Sequence, residues 1–243
     1  MTALLESEGL TKRFGGITAL DSCSISVAEG TITALIGPNG SGKTTLFNLV
    51  TGYLPADDGS IAFAGRSIRR PRPASLYRMG LCRTFQQARV FPNLTVTENM
   101  AAAIVQPWSS LLRSRVRSSD RRRALEVLDD FGLTRLADAA AGTLSFGQRK
   151  LLEFATVLMG RPRIILLDEP TSGVNPVMIE TMERHIRELH AQGLTFLIVE
   201  HDMHVVMRLC DPVIVLDHGA KIAEGAPAAV QSDPTVLDAY LGT

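Results

Sequence analysis

Apolar and polar positions follow two rhythms along this chain. Ile32-Thr33-Ala34-Leu35-Ile36, Ile164 to Leu167 and Leu194 to Val199 are apolar runs. A run without alternation suits a strand covered on both faces, as in a parallel sheet. Residues 22–27 alternate instead, Cys23, Ile25 and Val27 against serines, which predicts a half-exposed antiparallel strand. Leu4 to Ser7, Ile61 to Ala64 and Gly80 to Phe85 also read as strands. So do Val213 to Leu216 and Lys221 to Ala223, joined by a hairpin at Asp217-His218-Gly219. Asp57-Asp58-Gly59-Ser60 reads as a turn and Arg69 to Pro73 as a basic loop broken by proline.

A helical period takes over elsewhere. Residues 45–50 continue as helix to a stop at Gly52, and residues 92–159 form a helical insert between core strands. Within the insert, Leu125, Leu128 and Phe131 recur at i, i+3, i+6, and Leu151, Leu152, Phe154, Ala155 and Leu158 mark a second helix. Ile179, Met182, Ile186 and Leu189 give a stripe closed by Gly193. Residues 227–241 close the chain with short helices, with Val236, Leu237 and Tyr240 placed inward.

Length and composition then narrow the possibilities. At 243 residues the chain holds one large α/β domain, or a core with a subdomain. Lysine plus arginine equal aspartate plus glutamate at 25 each, so no global charge argues for nucleic acid or an anionic membrane. Although 45% of residues are apolar, no run approaches the roughly 18 to 20 needed to span a bilayer. Met1 to Glu6 lacks the basic start and apolar stretch of a signal peptide. Cys23, Cys82 and Cys210 form no C-x-x-C, which favours buried thiols of a cytoplasmic protein over a disulfide framework or a zinc site. The arginines at 113, 115, 117, 121, 122 and 123 read as a solvated face, with contact to phospholipid headgroups as the other reading.

Candidate chemistry begins after the first buried run. Gly37-Pro38-Asn39-Gly40-Ser41-Gly42-Lys43-Thr44-Thr45 fits G-x-x-x-x-G-K-S/T between a strand and a helix. Glycines at 37, 40 and 42 let backbone N–H groups approach phosphates, and the helix start adds partial positive charge. Lys43 would bridge the outer phosphates, and the Thr44 hydroxyl would ligate Mg²⁺, with Thr45 one residue deeper.

Polar residues gather at three later strand ends. Gln86 can ligate Mg²⁺ or orient water. Asp168 would hold Mg²⁺ through water, and Glu169 would accept a proton from the attacking water. His201 is expected at the γ-phosphate, while His201 and His204 with Asp202 also raise a weaker metal reading. Ser145 and Gln148 have the spacing of a capping box, and that helix start could equally be an anion site. Phe14, beside Gly15 and Gly16, reads as either a core aromatic or a ring that stacks on a purine.

These motifs together resemble an ABC transporter ATP-binding subunit over essentially the whole chain. Gly37 to Thr45 match the family's phosphate loop, Ile164 to Glu169 its acidic strand and Gln86 its glutamine loop. Leu144 to Gln148 match its signature, His201 its histidine switch and Phe14 its base-stacking aromatic. Phe146 departs from the usual glycine of the signature and Asn175 from the usual aspartate. Both resemble the branch importing branched-chain amino acids, as do Arg83-Thr84-Phe85-Gln86, Thr97-Glu98-Asn99-Met100, Glu200-His201-Asp202-Met203 and Asp238-Ala239-Tyr240-Leu241-Gly242. Importers of urea and amides share these features.

The resemblance implies the P-loop NTPase fold of ABC ATPases, with a mixed core sheet, an antiparallel β subdomain and a helical subdomain. It divides residues 1–243 into a RecA-like core with its antiparallel part (1–85 and 161–243) and a helical, signature-bearing part (86–160). It also implies a head-to-tail dimer with an identical or paralogous cassette, ATP and Mg²⁺ being sandwiched between the phosphate loop of one chain and Ser145, Gly147 and Gln148 of the other. Transmembrane permease subunits and, indirectly, a solute-binding protein would be partners, and the chain would lie on the cytoplasmic face of the membrane. A soluble relative clamping nucleic acid or ribosomes is the competing reading. Neither the long coiled coil of the first nor the paired cassettes of the second is seen here, and the N-K-x-D of a GTPase is missing.

Overall fold

The computed structural model describes residues 2–104 and 117–241. Arg113 and Arg115 of the basic run, Met1 and Gly242 lie outside the described residues. A six-stranded sheet organises the molecule, in the order β10-β9-β3-β8-β7-β6. Its central members are β3 (Ile32–Ile36), β7 (Ile164–Asp168) and β8 (Thr195–Val199), with β6 (Leu81–Arg83) at one edge. These pair in parallel, and β3 also runs parallel to β9 (Val213–Asp217). Only β10 (Ala220–Gly225) is antiparallel, which makes the sheet mixed.

Every residue of β3, β7 and β8 is buried, because each face of the sheet meets a different core. Ile165, Leu167, Phe196 and Ile198 join the core beneath the helices, whereas Ile164, Leu166, Leu197 and Val199 join the core beneath a second sheet. The period of two in a continuous apolar run thus sorts side chains between two cores rather than between core and water.

That second sheet is antiparallel and four-stranded, in the order β2-β1-β4-β5. The strands β1 (Ala3–Phe14) and β2 (Ile17–Ala28) are each twelve residues long, far longer than their apolar patterns alone indicate. Register shifts along the β1–β2 ladder absorb the irregular pattern. Asp58 to Ser60, expected in a turn, instead begin β4 (Asp58–Phe63), and β5 (Arg66–Ser67) completes the sheet.

Among the described residues the α-helices are α1 (Lys43–Val50), α2 (Pro73–Arg78), α3 (Val96–Ala102), α4 (Ser118–Asp130), α5 (Phe146–Leu158), α6 (Pro176–Ala191), α7 (Met203–Leu209), α8 (Pro227–Gln231) and α9 (Pro234–Leu241). Of these, α3, α4 and α5 pack on one another as a helical unit. Arg121 pairs with Asp138 at 3.0 Å and Arg123 donates to the Leu158 carbonyl at 2.8 Å, so part of the basic run is structural. All three cysteines are buried, and burial raises the Cys23 thiol to about 11 and Cys82 and Cys210 to about 12. One expectation fails at the end of the chain. Val236 is buried, but Leu237 and Tyr240 are about half exposed. A two-turn helix resting on β10 and α8 can bury only one narrow stripe, and Val236 occupies it.

Candidate functional site

The loop between β3 and α1 is shaped by protein packing as much as by any ligand. Gly37, Gly40 and Gly42 have φ of 149°, 83° and 102°. A Cβ at Gly37 would sit 2.0 Å from the Leu216 carbonyl oxygen, and one at Gly42 would sit 2.6 Å from that of Ala19. Those two glycines are therefore demanded by neighbouring backbone, while Gly40 faces open space. Pro38, Asn39 and Ser41 complete the arch, with Asn39 and Gly40 exposed. Lys43 opens α1 and is buried, its Nζ donating to the carbonyls of Gly37 and Pro38 at 2.8 Å and to Ser41 Oγ at 3.2 Å. Burial lowers its pKa, and the nearby Glu169 charge works against that. No side chain caps α1, so its first N–H groups stay directed at the arch, and Thr44 and Thr45 follow in the first turn.

Three strand ends converge beside the arch. Glu169 follows β7 with φ +47°, in the left-handed region that a glutamate rarely adopts. Its Oε2 accepts from Gln86 Nε2 at 2.9 Å, and its Oε1 lies 2.9 Å from His201 Nε2. The three residues expected to be catalytic are thus gathered on one carboxylate. Thr44, Asn48, Tyr53, Arg83, Gln86 and Asp168 line a crevice of about 550 Å³ alongside.

Asp168 is buried and Oδ2 accepts from Arg83 Nη2 at 2.7 Å. Thr44, Gln86 and Asp168 all line this crevice and each offers an oxygen ligand, the donor chemistry that Mg²⁺ takes. His201, Asp202 and His204 do not form a metal site. No cluster of three ligating His, Cys, Asp or Glu side chains occurs among the described residues, and Asp202 Oδ1 is committed to capping α7 through the His204 N–H at 2.8 Å.

Ser145, Gly147 and Gln148 lie apart from this crevice, at the start of α5. Ser145 Oγ accepts the Gln148 N–H at 3.2 Å and Gln148 Oε1 accepts the Ser145 N–H at 2.9 Å, completing the expected capping box. That leaves the N–H groups of Phe146 and Gly147 free of this box. Phe146 is 45% exposed and packs on Gly173, while Gly147 packs on Met178. Phe14, at the end of β1, is 46% exposed with Lys12 Nζ 5.6 Å over its ring. Its core reading therefore falls.

Four residues given no chemical role by the sequence motifs organise the site. Arg83 is wrapped by Phe47, Tyr53 and Phe85 while it grips Asp168 and donates to Asn48 at 2.7 Å. Glu200, 3% exposed, accepts the N–H groups of Thr171 at 3.1 Å and His201 at 3.0 Å, joining the loops after β7 and β8. Lys150 donates to the Glu169 carbonyl at 2.7 Å, and Glu153 accepts from the loop that carries Gln86. A charged residue inside an otherwise apolar helix stripe, as in Lys150-Leu151-Leu152-Glu153-Phe154, was the available signal.

A strand–loop–helix phosphate arch, an acidic strand end and a capped signature helix on this two-sheet fold define an ATP-binding cassette. Residues 20–172 match the ABC transporter family, and the chain belongs to it as an ATP-binding subunit. Residues 220–243 match a more particular family, the branched-chain amino acid ATP-binding cassette transporter. The high-affinity branched-chain amino acid transport ATP-binding protein BraF of Pseudomonas aeruginosa is 37% identical over 98% of each chain. Among solved structures, a nucleotide-free ATP-binding cassette of an ABC transporter superposes with a TM-score of 0.90 at 38% identity over the whole of both chains. A cassette dimer bound to ADP and phosphate matches at 0.79 and 27% identity, over 92% of this chain and 98% of its own.

Proposed function

We propose that this chain hydrolyses ATP as the nucleotide-binding subunit of an importer of branched-chain or other hydrophobic amino acids. The observation that carries the catalytic reading is the Glu169 carboxylate, held at 2.9 Å by both Gln86 and His201 beside the phosphate arch. In this reading Phe14 stacks on the base, residues 37–45 cradle the phosphates, and Lys43 turns from its carbonyl partners to the outer phosphates. Glu169 takes a proton from the attacking water as the oxygen adds to the γ-phosphorus and the bridge to the β-phosphate breaks. His201 and Gln86 hold the carboxylate oxygens in line. Mg²⁺, with Thr44, Gln86 and Asp168 as its ligands, would neutralise phosphate charge.

Ser145, Gly147 and Gln148 serve the γ-phosphate of a second cassette in a head-to-tail dimer, a reading in keeping with the relative that is dimeric with ADP and phosphate bound. Residues 1–85 and 161–243 act as the core and 86–160 as the helical part that passes closure to transmembrane permease subunits fed by a solute-binding protein. No described helix is long and apolar enough to cross a membrane, which fits a subunit held peripherally at the cytoplasmic face. Glu169→Gln is expected to keep ATP affinity and to lower turnover by about 10³-fold. Full turnover in that variant would remove Glu169 as the base. Purification of the tagged chain from its native membranes tests the transport half. Two polytopic subunits should accompany it, whereas ribosomes or DNA-bound partners would overturn the importer.

A further inference from the structure

Lys150 and Glu153 lie one turn apart on α5 and are only 4% and 7% exposed. Lys150 reaches the carbonyls of Glu169 and Pro170, at 2.7 and 3.4 Å. One oxygen of Glu153, Oε1, accepts two backbone N–H groups, from Phe85 at 3.2 Å and from Arg89 at 3.1 Å. These donors bracket Gln86. The Arg89 guanidinium lies 3.6 Å over the Phe85 ring and closes the same loop from outside. A short connection between β6 and the helical unit is thus gathered onto one atom of a helix that begins at Ser145, about two turns away.

A buried carboxylate is a costly way to satisfy two N–H groups, since burial pushes Glu153 up to about 7. What it supplies beyond satisfaction is a rigid link. Glu153 carries the loop of Gln86, and Lys150, one turn away on the same helix, holds the backbone of Glu169, so α5 sets the two residues relative to each other. We propose that Glu153 is a positioning residue that fixes the Gln86 loop to α5, the helix whose Lys150 holds the Glu169 backbone, so that the contact between Gln86 and Glu169 depends on this one carboxylate. The inference rests on the roles of Gln86 and Glu169 proposed above.

A double-mutant cycle on the full chain tests it, reading ATP turnover together with amide hydrogen exchange of residues 84–90. Glu153→Ala should lower kcat about tenfold with KM for ATP within about twofold, and the Phe85 and Arg89 amides should exchange faster while those of α5 keep their protection. Glu153→Gln keeps an acceptor oxygen and should stay within about threefold of wild type. In a Gln86→Ala background, Glu153→Ala should cost nothing further. Equal losses in both backgrounds, or unchanged exchange at Phe85 and Arg89, would overturn the proposal. Glu153→Asp, which keeps the charge but withdraws it by one methylene, carries the same test if the alanine variant does not fold. Unchanged kcat in Gln86→Ala alone would instead remove the role of Gln86 itself and the link with it.

Discussion

Two helix starts in this molecule are built to opposite rules. Behind Gly42 in the left-handed region, α1 begins with no side-chain cap and a buried lysine as its first residue. Behind Ser145, α5 begins with a complete capping box and no acid in its first turn. An uncapped start leaves its first N–H groups unsatisfied and relies on its surroundings to keep the helix in place. Here β3, β9 and the backbone at Ala19 provide that support, as the steric demands at Gly37 and Gly42 attest. The capped start is locally self-sufficient and still leaves two N–H groups for an anion. The first design gains electrostatic strength and needs a scaffold around it. The second can move as a unit.

The comparison can be broken at either end. The largest effect is expected at Lys43, where one ammonium serves three oxygens of the arch. Lys43→Ala should weaken ATP binding by about 100-fold or more in calorimetry, since a charge-assisted contact to phosphate and the closure of the arch are lost together. Unchanged affinity would mean that the uncapped N–H groups alone hold the phosphates.

The next effect is expected on α5. Glu153 ionises near 7 in the fold against an ordinary 4.5. Below pH 4.5 it is neutral in both folded and unfolded chains. Between 4.5 and 7 the unfolded chain loses the proton first, so stability falls as pH rises through this window and stays reduced above it. Glu153→Gln should therefore match wild type near pH 4.5 and gain on it as pH rises, by about 3 kcal/mol at pH 8 in denaturant titrations. A gain independent of pH would show that the carboxyl ionises normally.

Ser145→Ala removes one half of the box and should cost about 1 kcal/mol, read in the same titrations, while leaving ATP affinity of the single chain untouched. Of similar size, Phe14→Ala should weaken ATP several-fold through the loss of base stacking. Equal affinity would leave the exposed ring without that role.

Much of this was legible in the chain because the physics is local. Continuous apolar runs announced β3, β7 and β8, and the Ser145–Gln148 spacing announced its cap. The polar residues at strand ends converged because parallel strands end on the same side of a sheet. The hidden part was tertiary. Arg83, Lys150, Glu153 and Glu200 take meaning only from partners 29 to 85 positions away, or, for Lys150, 19. The long hairpin of β1 and β2 was masked by glycine, polar residues and register shifts, and the short helices α2 and α7 offered too few turns for a period to emerge. At the end of the chain, a plausible inward stripe misled because Val236 alone of the three is fully buried there.

The left-handed backbone at Glu169 has an evolutionary corollary. Glycine, or asparagine, tolerates φ near +47° far better than glutamate does. Substitution there would relieve roughly 1 kcal/mol of conformational strain while deleting the carboxylate. Selection for a sturdier protein and selection for turnover therefore pull this codon in opposite directions. A lineage freed from hydrolysis, needing only a chain that folds and clasps nucleotide, would drift first at this position.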